Sequence, residues 1–186
     1  MAAPLVLREV LERLLAGQSL GEDEAHALLV QLTDESLPPA MSGALLTALR
    51  AKGVVANEVR GFARAMRALA RRPELPAVGL TVDVVGTGGD GSGSVNLSTG
   101  AALLAAAAGA RVVKHGNRSV SSRSGSADLL EALGLRLPLQ GEQIGGCLAA
   151  TGFTFLFAPH HHPAMKAIAP VRAALGIRTV LTSSGR

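Results

Sequence analysis

The stretch DVVGTGGDGSGSVNLSTG, residues 83–100, decides how the second half of this chain is read. It leaves a short β-branched run, passes glycines at 86, 88, 89, 91 and 93, and ends in Asn96, Ser98 and Thr99 ahead of an alanine-rich stretch. A loop of this kind between a strand and a helix exposes unpaired backbone N–H groups, and glycine lets that backbone turn at positive φ and approach a phosphate closely. Anion binding is the function the pattern points to; a plain flexible turn is the alternative that glycine alone would allow. Gly86 to Gly91 fits the letters G-x-G-x-x-G of a dinucleotide-binding turn. The helix is nonetheless expected about five residues late, and Ala and Arg111-Val112-Val113-Lys114 stand about 20 residues on, where a ribose-binding carboxylate would belong. No Gly-Lys-Ser/Thr follows, so the P-loop pattern fails as well.

Working outward, TVDVV (81–85), RVVK (111–114), FTFLF (153–157) and RTV (178–180) read as strands. Helical stretches are expected near 97–108, near 126–133 with Gly134 closing it, and near 141–150. Strands alternating with helices predict an α/β unit, a mostly parallel sheet flanked by helices, with its ligand beyond the carboxyl ends of the strands.

The first 72 residues follow another grammar. Leu7, Val10, Leu11, Leu14 and Leu15 recur at helical spacing, with Gly17 as the stop. Ser19 and Glu22 have the spacing of a capping box before the stripe Ala25, Leu28, Leu29, Leu32. Pro38 and Pro39 open a third helix with Met41, Leu45, Leu46 and Leu49 inward and Gly53 past its end. Asn57 is the expected cap of a fourth, carrying Val59, Phe62, Met66 and Leu69. The segment from Arg71-Arg72-Pro73 to Pro76 breaks this pattern. The expected division is a small helical domain over 1–72 and an α/β domain over 73–186, with residues 160–176 forming a helix that returns to the helical domain.

Composition narrows the function. The chain has 186 residues, 48% of them hydrophobic, a formal charge of +4 and only 2% aromatics, with no Trp or Tyr. Few rings on which bases could stack and a modest positive surplus favour a small anionic ligand over nucleic acid. A lone cysteine, Cys147, excludes a disulfide framework and reads as a packed small hydrophobe. The opening MAAPLVLREVLERLL lacks a basic leader before a continuous apolar run, so a cytoplasmic protein with no membrane partner is expected.

A second polar loop, KHGNRSVSSRSGSAD (114–128), opens at the expected end of the second strand, on the same sheet edge as the glycine loop. Lys114, His115, Arg118 and Arg123 offer charge-assisted donors to an oxygen-rich anion, against the plainer reading of a solvated basic loop. His160, His161 and His162 look like a metal tract, but neighbouring residues point different ways and no carboxylate or cysteine lies close in sequence.

GTGGD followed by NLSTG, then KHGNRSVSSRSGSADLLEALG, then FAPHHHPAMKAIAPVRAALGIRT, in this order after a helical unit, resembles the anthranilate phosphoribosyltransferases of tryptophan biosynthesis. The resemblance covers residues 5–180 in layout. It implies a transferase, a homodimer through its helical domain, that moves the phosphoribosyl group of 5-phosphoribosyl 1-pyrophosphate onto the amine of anthranilate, with Mg2+ and with release of pyrophosphate. It further implies that Gly86, Gly88, Gly89, Asp90 and Ser94 wrap the pyrophosphate, with Asn96, Ser98 and Thr99 completing the loop and Ser98 giving an oxygen to magnesium. Lys114, Asn117 and Ser126 would hold the remaining phosphate and ribose oxygens. Gly86, His115 and Asn117 would face the anthranilate path, His162 and Met165 would border it, and Arg172 would meet the anthranilate carboxylate.

The family continues after Arg-Thr with Phe-Asn-x-Leu-Gly-Pro and a long further segment bearing an acidic pair for a second magnesium, where this sequence reads Val180-Leu-Thr-Ser-Ser-Gly-Arg186. Asn-Leu-Leu-Gly-Pro-Leu written AAC CTC CTC GGG CCG CTG gives Thr-Ser-Ser-Gly-Arg when read one base later, so a frame change upstream of residue 182 is one expectation. Two other functions fit the pattern less well. Pyrimidine nucleoside phosphorylases share the architecture, but their loop reads Lys-His-Ser-Thr-Gly-Gly. A catalytically silent relative would keep the phosphate loops and bind the donor without product.

Overall fold

The computed structural model describes residues 4–76, 79–86, 95–119 and 124–183. The chain divides into two compact units, residues 1–70 with 162–186, and residues 71–161.

In the first unit, α1 (Leu7–Leu15), α2 (Glu22–Leu32), α3 (Pro39–Lys52) and α4 (Ala56–Leu69) surround a core of Val10, Leu14, Leu28, Leu29, Leu45, Leu46, Leu49 and Phe62. The helical spacing of these apolar residues is what places them on one inward stripe per helix. α2 packs on α4 and α1 on α3. The α2–α4 contact is close because of Gly61, where a Cβ would collide with Glu22 O and would lie 2.7 Å from Ala25 Cβ and 2.9 Å from His26 N. The acidic first turn of α2 is met by Arg13, at 2.6 Å from Glu24, and by Arg60 and Arg64, at 3.2 and 3.0 Å from Glu22. Glu58 is fully buried and satisfied on every side: its carboxylate accepts from Leu20 N, Val55 N and Lys52 Nζ.

Three local expectations need correction here. The box that starts α2 lies two residues later than Ser19–Glu22: Gly21 occupies the cap and donates its N–H to Glu24 at 2.9 Å. Ser19 instead accepts from Lys52, and Glu22 is drawn to the α4 arginines. Asn57 sits inside α4 with Val55 at the cap, because the Glu58 carboxylate takes the Val55 N–H itself. Leu15 and Val59, on the apolar stripes by spacing, are 66% and 41% exposed and stand outside the buried core.

The second unit is built on a parallel sheet. β1 (Val112–Gly116) pairs with β2 (Phe153–Phe157) in the register Val112↔Phe153 to Gly116↔Phe157. On the other side of β1, Val82 bridges Val112 in parallel, with Val82 N donating to Arg111 O at 2.9 Å and Val113 N to Val82 O at 3.0 Å. The expected strand 81–85 is thus a single bridge. α5 (Leu97–Ala107), α6 (Ser126–Ala132) and α7 (Glu142–Thr151) follow the polar loops and the connection before β2. Ala102, Val112, Ala127, Leu130, Phe153 and Phe155 form the core between sheet and helices. The architecture is therefore α/β with a helical N-terminal unit.

Residues 158–175 are a short α8 (Ala158–His161), a 3-10 turn (Pro163–Lys166) and α9 (Ala169–Leu175), where a single helix was expected. Pro163 and Pro170 each remove an internal N–H donor and so divide the run. Ile168 and Val171 join the core of the first unit. RTV at 178–180 is not a strand: Val180 opens α10 (Val180–Ser183), and burial of Thr179 and Val180 against the helices overrides their β-propensity.

Candidate functional site

The carboxyl ends of β1 and of the segment bridged to it converge on two loops, as the parallel topology requires. Gly88, Gly89, Asp90 and Ser94, and the basic-loop residue Arg123, lie outside the described residues. The remaining expected residues of the second unit, Gly86, Asn96, Ser98, Thr99, Lys114, His115, Asn117 and Ser126, form one connected neighbourhood.

Gly86 lies against the start of α5: a Cβ there would stand 3.4 Å from the Ser98 hydroxyl. Asn96 is the residue before α5, and its Nδ2 donates to Gly125 O at 3.1 Å and to Ser124 Oγ at 3.3 Å. The end of the glycine loop is thereby tied to the end of the basic loop. Helix α5 directs its N-terminal partial positive charge to this place. Thr99 is fully buried in the first turn, with its N–H donated to Asn96 O.

The basic loop is closed at a neck. Asp128 accepts from Ser119 N at 2.9 Å and from Gly125 N at 2.7 Å, and these two bonds hold its carboxyl below the usual aspartate range. Ser126 Oγ donates to Asn117 O at 3.2 Å. Gly125 is required here, because a Cβ would run into Ser119 N and Asn117 O. Gly116, at the end of β1, meets the Ser126 hydroxyl and the Phe155 ring in the same way.

Lys114 and Arg118, read together as loop donors, take different places. Lys114 is 2% exposed, on the sheet face of Val112, and its Nζ donates to Val84 O. Burial pushes its pKa down, and the charge of Asp83 pushes it back up. Arg118 is committed to α6: it binds Glu131 through both terminal nitrogens at 2.5 and 2.6 Å and lies 5.6 Å from the centre of the Phe157 ring. A guanidinium held this way is a support for the loop rather than an open anion donor, which corrects its reading as one. Asp83, whose Oδ1 accepts the His115 N–H at 3.3 Å, was not singled out by the sequence. The available signal was a lone carboxylate in the apolar run TVDVV.

His162, Met165 and Arg172 belong to the first unit. His162 precedes the 3-10 turn and accepts from Met165 N at 3.0 Å, and Met165 packs on the helical core. Arg172 on α9 is half-buried; burial lowers its pKa, and no acid among the described residues offsets the shift. His161 is turned inward, with Nδ1 2.9 Å from Arg71 O. Among the described residues no three His, Cys, Asp or Glu side chains converge as a metal site, and no helix is long and apolar enough to cross a membrane. The Ser98 hydroxyl, in the first turn of α5, is a neutral oxygen that belongs to no cluster of three acidic, His or Cys side chains among the described residues; it fits a magnesium ion carried mainly by phosphate oxygens and not an all-protein cage.

Residues 79–185 match the α/β domain of the glycosyl transferase family and residues 8–70 match that family's helical bundle domain; the chain belongs to this family. Among its relatives are anthranilate phosphoribosyltransferases. That of Cupriavidus pinatubonensis is 46% identical over 99% of this chain and 50% of its own length, and that of Burkholderia mallei is 48% identical over 96% and 52%. The chain spans about half the length of the curated relatives it matches. In structure it is similar to the anthranilate phosphoribosyltransferase of Thermus thermophilus, with a TM-score of 0.84 at 48% identity over 94% of this chain and 53% of that one. It is also similar to the Saccharomyces cerevisiae enzyme in complex with PRPP and Mg, with a TM-score of 0.86 at 28% identity over 96% and 53%.

Proposed function

We propose that this protein is an anthranilate phosphoribosyltransferase, taking 5-phosphoribosyl 1-pyrophosphate as donor and Mg2+ as its metal. The observation that carries the reading is the closure of two polar loops on one another at the carboxyl edge of a parallel sheet, through Asn96 and Gly125, with a buried lysine beneath. The names of the relatives, and the donor and magnesium in the yeast complex, support the same chemistry.

In this reading Gly86, Gly88, Gly89, Asp90 and Ser94 wrap the pyrophosphate, and Asn96, Ser98 and Thr99 complete that loop. Backbone N–H groups and the α5 N-terminus meet the charge that grows as the C1–O bond of the sugar breaks, and fixed dipoles do this without reorganising. Magnesium bound with the diphosphate supplies further neutralisation of that charge. Lys114, Asn117 and Ser126 hold the ribose and its phosphate. The anthranilate nitrogen forms the new bond to C1, giving up a proton as pyrophosphate departs. Gly86, His115, Asn117, His162 and Met165 shape its path, and Arg172, a half-buried cation, receives its carboxylate. No side chain needs to act as nucleophile, so positioning supplies much of the rate.

A division into a helical domain over 1–72 and an α/β domain from 73 belongs to the same proposal, as do dimerisation through α1 and α3, a cytoplasmic location and a place in tryptophan biosynthesis. The test is loss of anthranilate fluorescence on adding the full protein with magnesium and the phosphoribosyl donor. Turnover that needs all three establishes the reading. Donor binding without turnover would instead mark a silent relative, and phosphorolysis of a pyrimidine nucleoside would mark a phosphorylase.

A further inference from the structure

Asp83 follows directly on the bridge between Val82 and Val112 and precedes Gly86 by three residues. It is an exposed carboxylate within Thr81-Val82-Asp83-Val84-Val85, outside the residues assigned to the phosphate loops. Its Oδ1 accepts the N–H of His115, while the carbonyl of the next residue, Val84, accepts the ammonium of Lys114. Two consecutive residues at the root of the glycine loop therefore grip two consecutive residues at the end of β1.

Among the described residues the charges around Lys114 are few. α5 and β2, which pack on β1, carry no titratable side chain, and within β1 the other titratable group is His115. On α6, Asp128 is turned to the neck amides and Glu131 to Arg118. Asp83 is the one charge that acts on Lys114 against its desolvation among the described residues.

We propose that Asp83 is a positioning residue for phosphate binding: its carboxylate couples the end of β1 to the root of the glycine loop and is the counter-charge that holds buried Lys114 as a cation. This rests on the reading that Lys114 serves the phosphorylated donor. The backbone bond alone would be a structural device, felt equally at every pH. The counter-charge role makes the difference grow as the solution becomes alkaline, since a buried ammonium without its anion loses its proton sooner.

The test uses Asp83→Asn, which keeps an acceptor for His115 N–H and removes the charge, and Asp83→Ala, which removes both. In the full chain, donor affinity is measured by titration calorimetry from about pH 7 to about pH 9.5, and the Lys114 side chain is followed by NMR of labelled lysine. For Asp83→Asn the loss of affinity is expected to be about two- to fivefold greater at the alkaline end than at neutral pH, with the Lys114 titration displaced to lower pH. A loss that is equal at every pH, or no loss, with an unmoved Lys114 titration overturns the proposal. Lys114→Gln separates the two readings. If it binds the donor normally, the donor role of Lys114 is wrong, and the Lys114 titration in Asp83→Asn still decides the coupling itself. Circular dichroism of Asp83→Ala distinguishes lost folding from lost binding.

Discussion

Asn96 Nδ2 donates to the carbonyl of Gly125 at 3.1 Å, so a residue at the end of the glycine loop holds the end of the basic loop 29 positions further on. The two loops are then one structure, and the binding edge depends on a bond between segments that are far apart in sequence. Asn96→Ala removes this bond and that to Ser124. It is expected to lower stability by only about 1 kcal/mol, the net value of a hydrogen bond, while weakening donor binding by about tenfold or more through loss of loop order. Thermal unfolding beside calorimetric titration of the donor checks both; equal small effects on stability and binding would show the loops to be independent.

The ion pair of Glu58 and Lys52 lies inside the helical unit, with side chains 0% and 5% exposed at 3.0 Å. Glu58→Gln leaves a buried ammonium without its counter-charge and is expected to cost about 3–5 kcal/mol. Lys52→Met with Glu58→Gln should cost clearly less than the sum of the single changes. Urea unfolding of the four proteins of this cycle decides it, and additivity would mean that the pair is not coupled.

Gly61→Ala forces a methyl against the backbone of α2, which cannot move aside as a flexible side chain would. A loss of about 1–3 kcal/mol is expected. Gly100→Ala, in α5, where among the described residues the new Cβ meets nothing within 4 Å beyond its chain neighbours and its own helix backbone, is the control and should be neutral or stabilising by up to about 1 kcal/mol. Denaturant midpoints of the two variants measure the contrast.

Asp128 has a depressed carboxyl pKa in the folded protein because Ser119 N and Gly125 N donate to its carboxylate. A depressed folded-state value means that the contribution is present above the ordinary aspartate value of 3.8 and disappears as pH falls through the lower folded value. The neck should therefore hold at neutral pH and loosen only in strong acid. Hydrogen exchange at the Ser119 and Gly125 amides reads this directly, and Asp128→Ala, which removes the acceptor, should expose both already at neutral pH.

Arg172→Lys keeps a cation but loses the planar fork that receives a carboxylate through two bonds. The expected result is a kcat/KM for anthranilate lower by roughly 10–100-fold, about 1.4–2.7 kcal/mol, with the KM of the donor little changed. An equal effect on both substrates would remove Arg172 from the anthranilate path.

The apolar stripes of α2 and α3 and the glycines at 17, 53 and 134 were legible in the sequence, since spacing of three and four and residues free to take positive φ are local properties. So was the order of loop, helix and strand from Leu97 to Phe157. The family resemblance likewise rests on runs of residues that need no coordinates. Tertiary structure moved the cap of α2 from Ser19 to Gly21, because Lys52 claims Ser19 and the α4 arginines claim Glu22. It turned Arg178-Thr179-Val180 from a strand into the entry of a helix by burying two of its side chains in the first unit. It also took Arg118 out of the anion site, by setting Glu131 within its reach, and brought Asp83 in, by laying Val82 beside Val112. What the chain can say locally, its periods, its turns and its motifs, is determined by the sequence read in order. Which charge meets which partner depends on segments brought together from far apart, and only the fold fixes those distances.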